Sequence, residues 1–411
     1  STTFAEPVTL QDAINVATKN NFDVLNAERE LEKNEGQVTS SRGGLMPDLV
    51  ATGSYQRVDN DTLQNFNGTQ FGVDRSWTAG AEIQQPIFEG GKNWNSLQRD
   101  RILRDAAKLN LEEITNQVVA QTKTAYFNAV LANSEISVAQ KLVDLRSDLY
   151  EREKARLEVG RIAPFDALRA EVSLANSKAP LIRAKNNYRI ALEELRKVMG
   201  ESAGKESRNI EVSGDLSFEP KIVVLEESLA RAEDNRPELK RLKLAEEAAA
   251  KNISIERAEF FPQVQAYAGY GWQQSQFDKD DELHGWQAGL RAQWKIFDSF
   301  KTIGKVTSAQ ALKEQARVAK NKLLETIRIE TRQSVSDLQE ATELVNASKK
   351  VAEQGEESLR LANERLGEGV GTQLDVLESQ VALTEARTNE ITALHSYNVA
   401  LAKYLATLGE R

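Results

Sequence analysis

Few residues in this chain of 411 have types and spacings suited to chemistry. Cysteine is absent, which excludes disulfides, thiolate metal sites and cysteine nucleophiles. The two histidines, His284 and His395, are far apart in sequence and belong to no metal or triad pattern. Gly367, Gly369 and Gly371 spell Gly-x-Gly-x-Gly, but the run follows a helical pattern and not a strand. It therefore reads as a tight helix reversal, not a phosphate cradle. Asp59-Asn60-Asp61 is weakly like a calcium loop, yet the remaining ligand spacing is missing. Asp375 and Glu378 sit three apart and share one helix face. On residues alone they read as a helix-capping acid beside a solvated one. No catalytic constellation is present, and no enzyme, cofactor or metal is expected.

A net charge of −9 without a basic patch argues against a nucleic-acid partner. Aromatic residues are 6% and charged residues 28%, and Ala, Leu, Glu, Gln, Lys and Arg fill long stretches. That is the composition of long water-facing helices and coiled coils. No apolar run approaches the roughly 20 residues of a spanning helix. Membrane strands remain open, because their alternation averages to neutral hydropathy. No signal peptide is visible, and Ser1 is compatible with a position left by cleavage.

The elements that place these residues occur twice. An offset of 209 pairs Arg156-Leu157 with Arg365-Leu366, Gly160 with Gly369, and Asp166 with Asp375. The same offset pairs Leu168 with Leu377, Tyr188 with Tyr397, and Gly200 with Gly409. A structural unit was duplicated. The expected division is a first repeat over 1–200, a linker over 201–225 with one short strand near Asn209 to Val212, and a second repeat over 226–411. Each repeat reads as helix, two strands, a very long helix and a medium helix. The first helices, from about Asn21 to Arg42 and from about Pro237 to Glu259, stop before Met46-Pro47 and Phe261-Pro262. Pro47 and Pro262 are offset by 215, so about six extra residues are expected between the strands of the first copy.

The strands alternate with period two. After Pro262, Val264, Ala266, Ala268, Tyr270 and Trp272 alternate with Gln263, Gln265, Tyr267, Gly269 and Gly271. Before Asp298, Trp286, Ala288, Leu290, Ala292, Trp294 and Ile296 alternate with polar residues, and Leu49 to Gln56 and Trp77 to Gln84 repeat the pattern. Such alternation over about ten residues, with aromatics near the ends, fits membrane strands carrying an interfacial girdle of Tyr55, Trp77, Trp272, Trp286 and Trp294. An ordinary sandwich strand is the alternative. Four of the five tryptophans are expected in these strands, and no second sheet is expected.

From about Lys92 to Glu158 and from about Lys301 to Leu366 no proline interrupts a helical pattern. Each stretch corresponds to roughly 100 Å of helix. The second carries a heptad seam of Leu324, Thr331, Leu338, Val345, Ala352, Leu359 and Leu366, with small companions such as Ser334, Ala341 and Gly355. Medium helices follow, from about Pro164 to Val198 and from about Leu374 to Leu408.

Four strands leave two open edges, which a bilayer does not tolerate. Two chains give eight strands and a side-chain-filled interior, whereas three give twelve, enough for a lumen. The expected fold is mainly α with a transmembrane β-barrel contribution. Long antiparallel coiled-coil helices form a trimeric α-barrel that continues a 12-stranded β-barrel, four strands per chain.

The tandem repeat, the Leu45-Met46-Pro47 and Phe260-Phe261-Pro262 switches, the Gln85-Pro86-Ile87-Phe88-Glu89-Gly90-Gly91 and Trp294-Lys295-Ile296-Phe297-Asp298 strand ends, and the two Gly-containing turns resemble the TolC-type outer-membrane efflux and secretion channels. The resemblance covers essentially the whole chain. It implies a homotrimer in the outer membrane of a Gram-negative bacterium, in contact with outer-membrane lipid and mostly periplasmic. It also implies a periplasmic adaptor and an inner-membrane pump of RND, ABC or MFS type as partners. The function implied is an exit duct for drugs, other small molecules or secreted polypeptides, as in multidrug export or type I secretion. The competing reading is a soluble periplasmic coiled-coil scaffold or adaptor without a pore.

By the same resemblance, Gly160, Arg161, Ile162, Gly369, Val370 and Gly371 are expected at adaptor-docking tips. Asp375 and Glu378 are expected at the acidic constriction of the periplasmic entrance. Asp166 and Arg169, their first-copy equivalents, are expected on the outer helix pair. Gly371 stands where the family often has a basic residue, and the sequence lacks the N-terminal cysteine of the lipidated branch. The acidic loops Asp59 to Asp74 and Asp278 to Glu282 are expected to face the exterior.

Overall fold

A computed structural model describes residues 6–59, 64–66, 69–71, 75–201, 210–274 and 282–410. In chain order, the first repeat runs β1 (Glu6–Val8), α1 (Leu10–Asn20), α2 (Phe22–Gly43), β2 (Asp48–Arg57), β3 (Gln64–Phe66), β4 (Thr69–Phe71), β5 (Arg75–Phe88), α3 (Lys92–Glu158) and α4 (Pro164–Met199). There follow β6 (Ile210–Val212), α5 (Leu225–Asn235), α6 (Pro237–Arg257), β7 (Gln263–Gln274), β8 (Glu282–Gln293), α7 (Lys301–Gly367) and α8 (Gln373–Thr407). The expected long and medium helices are present, and α3 and α7 each have 67 residues. The chain forms two compact units.

One unit comprises Glu30–Leu109 and Lys240–Asn321 and contains an antiparallel sheet of order β2-β5-β7-β8. Its register separates two faces. Leu49, Ala51, Gly53 and Tyr55 on β2 lie opposite Ile83, Ala81, Ala79 and Trp77 on β5. Ala268, Tyr270 and Trp272 on β7 continue that apolar face, facing Ala288, Trp286 and His284 on β8. The other face is polar and internally hydrogen-bonded. The Gln265 amide donates to Gln84 Oε1 at 3.0 Å, Gln84 to Glu82 Oε1 at 2.7 Å, and Gln287 to Glu82 Oε2 at 3.3 Å. β8 ends at Gln293, so Trp294 and Ile296 lie beyond the strand. The alternation expected through Ile296 stops early because the backbone leaves the ladder there; the Trp294 indole N–H donates to the Phe260 carbonyl at 3.0 Å.

Both repeats leave the sheet through two consecutive left-handed residues. In the first these are Gly90 (φ 61°) and Gly91 (φ 82°), and a Cβ on Gly90 would stand 2.7 Å from the Ala258 carbonyl oxygen. The equivalents in the second are Ser299 (φ 58°) and Phe300 (φ 65°). A side chain in this region costs roughly 1–2 kcal/mol per residue relative to the right-handed conformation.

The other unit comprises Ser1–Arg29, Asn110–Leu239 and Lys322–Arg411. It holds two short helices, α1 and α5, and one strand, β1, that the sequence reading did not anticipate. α1 precedes α2 across a break at Asn21, whose ψ of 132° is extended, and α1 starts with a Thr9/Asp12 capping box. α5 is its counterpart before α6, again at offset 215. β6 is the short strand expected near Asn209 to Val212, and it pairs in parallel with β1. β3 and β4, in the unit that holds the four-stranded sheet, pair antiparallel, so the expectation of a single sheet is corrected. Both short pairs have three residues per strand, too few to register as periodicity.

The equivalent tyrosines at 188 and 397 fasten the segment between the repeats. Tyr188 Oη accepts from the Val212 N–H at 3.3 Å, and the Tyr397 hydroxyl donates to the Glu219 carbonyl. The equivalent glycines Gly200 and Gly409 follow α4 and α8 and are both left-handed (φ 74° each); a Cβ on Gly200 would fall 2.2 Å from the Asn20 carbonyl oxygen. The heptad seam of α7 is buried as expected. Ile327, Thr331, Leu338, Val345 and Ala352 are at most 2% exposed. Ile327, Leu338 and Val345 share a core with Tyr397, Tyr404 and Leu408 of the α8 arm.

Candidate functional sites

The first candidate site is the pair of helix reversals. After α3, Gly160 (φ 70°) donates to the Leu157 carbonyl at 2.9 Å and Arg161 to the Arg156 carbonyl at 2.8 Å, a glycine-dependent C-cap. After α7, Gly369 (φ 73°) takes the same place, and the N–H groups of Val370 and Gly371 both donate to the Arg365 carbonyl, at 3.0 and 2.9 Å. A Cβ on Gly371 would stand 2.9 Å from that of Arg365, so the reversal itself requires glycine there. The Gly-x-Gly-x-Gly run is thus a turn, as expected. Arg161 and Val370 are exposed and Ile162 is half-buried.

Beneath the turns Leu149, Leu359, Ala362 and Val376 form a small core. Gln373 donates to the backbone carbonyl of Asp166 at 3.2 Å, joining the starts of α8 and α4. Gln380 Nε2 reaches the Leu145 carbonyl at 3.5 Å. On α4, Phe165, Leu168 and Val172 form an exposed apolar stripe, with the Arg169 guanidinium 4.7 Å from the Phe165 ring centroid. The 3–4 spacing of this stripe was visible in the sequence, but its exposure was not.

Asp375 and Glu378 both lie on the first turns of α8 and both are exposed. Asp375 closes a capping box: its Oδ2 accepts the Thr372 N–H at 2.8 Å while Thr372 Oγ1 accepts the Asp375 N–H at 3.2 Å. The Thr372 backbone and hydroxyl, with Arg365 nearby, hold the Asp375 carboxyl below the usual aspartate range. Arg169 occupies the first-copy position equivalent to Glu378, and Ala163 provides no side-chain cap for α4. The two helix starts therefore carry opposite chemistry on one backbone plan.

The second candidate site is the apolar sheet face. Tyr55 lies opposite Trp77, Tyr270 opposite Trp286, and the Tyr270 and Trp272 rings meet edge-on at 4.7 Å. Four of the expected girdle residues, Tyr55, Trp77, Trp272 and Trp286, thus gather toward one end of the strands. Trp294 lies at the other end, with Phe88, Phe261, Phe297 and Phe300, all exposed. Phe88 and Phe261 meet at 6.5 Å, Phe297 and Phe300 at 5.7 Å. The sequence reading named one tryptophan of this second belt and missed the phenylalanines, which fall outside the alternating stretches.

The histidines stay apart from any such chemistry. His284 belongs to the apolar sheet face, and His395 Nε2 lies 2.7 Å from Asn128 Oδ1, its pKa lowered by burial. Among the described residues no cluster suited to a metal is present, and no helix is long and apolar enough to cross a membrane. The expected outward loops Asp59 to Asp74 and Asp278 to Glu282 lie largely outside the described residues.

Comparison with known proteins gives a consistent result. Residues 13–201 and 229–410, one segment in each repeat, match the family described as outer membrane efflux protein. The chain is 22% identical to the cobalt-zinc-cadmium resistance protein CzcC of Cupriavidus metallidurans, over 95% of this chain and 87% of that protein. It is 23% identical to the alkaline protease secretion protein AprF of Pseudomonas aeruginosa, over 96% and 83% of the two chains. The fold is that of the Campylobacter jejuni CmeC outer membrane channel, with a TM-score of 0.83, 18% identity, and coverage of 97% of this chain and 85% of that one.

Proposed function

From the premise that the chain belongs to the outer membrane efflux protein family and is an outer-membrane exit duct of a tripartite efflux or type I secretion system, we propose that three copies close one continuous channel. One observation carries this reading: the four-stranded sheet has an apolar face, a polar face, and unpaired edges at β2 and β8 among the described residues. In a bilayer those edges must pair. Three sheets joined β8 to β2 give twelve strands with the polar face inward, enough to leave a lumen.

The helices support the same assembly. Opposite its buried seam, α7 carries exposed Ile329, Leu344, Val351 and Leu361, and α4 exposes Phe165, Leu168 and Val172. Apolar stripes of this length on long helices are covered by neighbouring helices. Gly160, Arg161, Ile162, Gly369, Val370 and Gly371 form the adaptor-docking tips. An inner-membrane pump of RND, ABC or MFS type supplies the energy through that adaptor. The cargo is small molecules or polypeptides; the names of CzcC and AprF attach metal resistance and protease secretion to relatives of similar identity.

Asp375 and Glu378 form the gate. Three-fold symmetry gathers six carboxylates, which attract cations and repel one another. The Asp375 cap fixes where the first of these charges sits, and Glu378, exposed on the same helix, faces the axis. A soluble scaffold without a pore is the reading against which this is tested. Sucrose-gradient fractionation places the duct with outer membranes, and purified protein gives discrete conductance steps in planar bilayers. Recovery in the soluble periplasmic fraction, or bilayers that stay silent, contradicts the proposal.

A further inference from the structure

We propose that the elbow from Trp294 to Lys301 is a binding site for an anionic phospholipid of the periplasmic-side leaflet. Phe297 and Phe300 enter the acyl region, and Lys295 and Lys301 hold the headgroup phosphate. The inference rests on the reading of the sheet as a membrane barrel and adds to it a specific lipid contact.

The two repeats supply the argument by their difference. At equivalent left-handed positions the first repeat has Gly90 and Gly91, which adopt φ above zero without strain. The second has Ser299 and Phe300 at φ 58° and 65°. A strained backbone persists where something else rewards it. Burial of the Phe300 side chain does not supply that reward, since Phe300 is 69% exposed and its ring partner Phe297 is 72% exposed. Ile296 beside them is 83% exposed. The elbow is held in shape, with the Trp294 indole on the Phe260 carbonyl and the Thr302 N–H on Asp298 Oδ2 at 2.7 Å. It is therefore a fixed presentation of apolar groups, continuous with the apolar face that ends at Ala292.

The charge pattern names the occupant. Lys295 and Lys301 bracket the apolar residues and are exposed. Among the described residues neither has a carboxylate within ion-pair distance, whereas the nearby Lys305 is paired with Glu259 at 2.7 Å. Glu259, held mainly by Lys305, also feels Lys295, but neither elbow lysine closes an ion pair among the described residues. Two exposed cations beside exposed aromatic rings match a phosphate above acyl chains. Because the elbow leads directly into α7, it lies at the helical end of the sheet, on the periplasmic side.

The test reconstitutes the full chain into vesicles of equimolar phosphatidylcholine and phosphatidylglycerol. The lipid retained after detergent extraction is then measured by mass spectrometry. Wild type should retain phosphatidylglycerol preferentially, and Lys295→Gln and Lys301→Gln should each weaken the preference about fivefold. Phe300→Gly should keep the fold, since it relieves strain, yet retain less of either lipid. Lys349→Gln with Lys350→Gln, on a different stretch of α7, should change nothing. Equal retention of both lipids, or an unchanged preference in the Lys295→Gln/Lys301→Gln double variant, overturns the lipid site alone. Failure to enter these vesicles at all overturns the barrel reading on which it rests.

Discussion

The side-chain amide of Gln373 donates to the backbone carbonyl of Asp166 at 3.2 Å, across 207 residues of sequence. This bond ties the start of α8 to the start of α4, the two places where the repeats turn back. Gln373 is 8% exposed, and its Oε1 has no hydrogen-bond partner among the described residues. The bond is thus a direct tie between the tips, made by a residue whose first-repeat counterpart is Pro164. Gln373→Ala should cost about 1 kcal/mol, the usual net worth of such a bond. It should also make the two turns more susceptible to limited proteolysis. A variant as stable and as protease-resistant as wild type would show the tie to be incidental.

The cap at the second turn predicts a pH dependence with a definite sign. The Asp375 carboxyl is held below its ordinary range by the Thr372 backbone, the Thr372 hydroxyl and Arg365. A depressed carboxylate stabilises the fold fully above its unfolded pKa and ceases to do so as pH falls through the folded one. Hydrogen exchange at the first turn of α8 should therefore accelerate on acidification below the ordinary aspartate range. Asp375→Asn should remove that acid limb. Thr372→Ala should cost about 1 kcal/mol through loss of the cap. An acid limb that survives in Asp375→Asn would assign it to another group.

Two glycines with nearly the same backbone should respond differently to a methyl group. Gly160 (φ 70°) has nothing within 4 Å of the place a Cβ would take, so Gly160→Ala should cost only the backbone strain of about 1–2 kcal/mol. Gly200 (φ 74°) would place its Cβ 2.2 Å from the Asn20 carbonyl oxygen, so Gly200→Ala should additionally displace α1 and lower folded yield. Leu338→Ala, in the α7 core, should cost about 2–5 kcal/mol. Thermal unfolding of the three variants ranks them, and Gly160→Ala as damaging as Gly200→Ala would contradict the packing argument.

Much of this was legible in the sequence, for physical reasons that differ by element. Proline-free stretches of helical periodicity gave α3 and α7 nearly to the residue, and the 209 offset aligned both turns. The period-two alternation located β2, β5 and β7 and the start of β8. It overran at Trp294 and Ile296 because alternation persists in composition after the backbone leaves the ladder. α1 went unread although Thr9 and Asp12 spell its cap, and the break at Asn21 rests on one extended residue. β6 was expected near Asn209 to Val212, but its partner β1 was not, because pairing between distant segments is encoded in no local pattern. At the turns, glycine spacing revealed the reversal, whereas the Gln373 tie needed the third dimension.

The proposed gate predicts an ion-selectivity change confined to the second repeat. Glu378→Gln, alone or with Asp375→Asn, should lower cation selectivity and weaken block by multivalent cations in planar bilayers. Asp166→Asn should leave selectivity alone. Equal effects from Asp166→Asn and Asp375→Asn would contradict the assignment of α8 to the inner wall.

The central claim is that the open β2 and β8 edges close against other copies of the chain. The chain has no cysteine, so a pair introduced along β2 and β8 reports only the new positions. With one cysteine fixed in β8, at Gln287, a scan from Thr52 to Gln56 on β2 should contain a position that oxidises to a covalent species of three times 45.7 kDa on a denaturing non-reducing gel. A scan that yields only the single-chain band at every β2 position would contradict it.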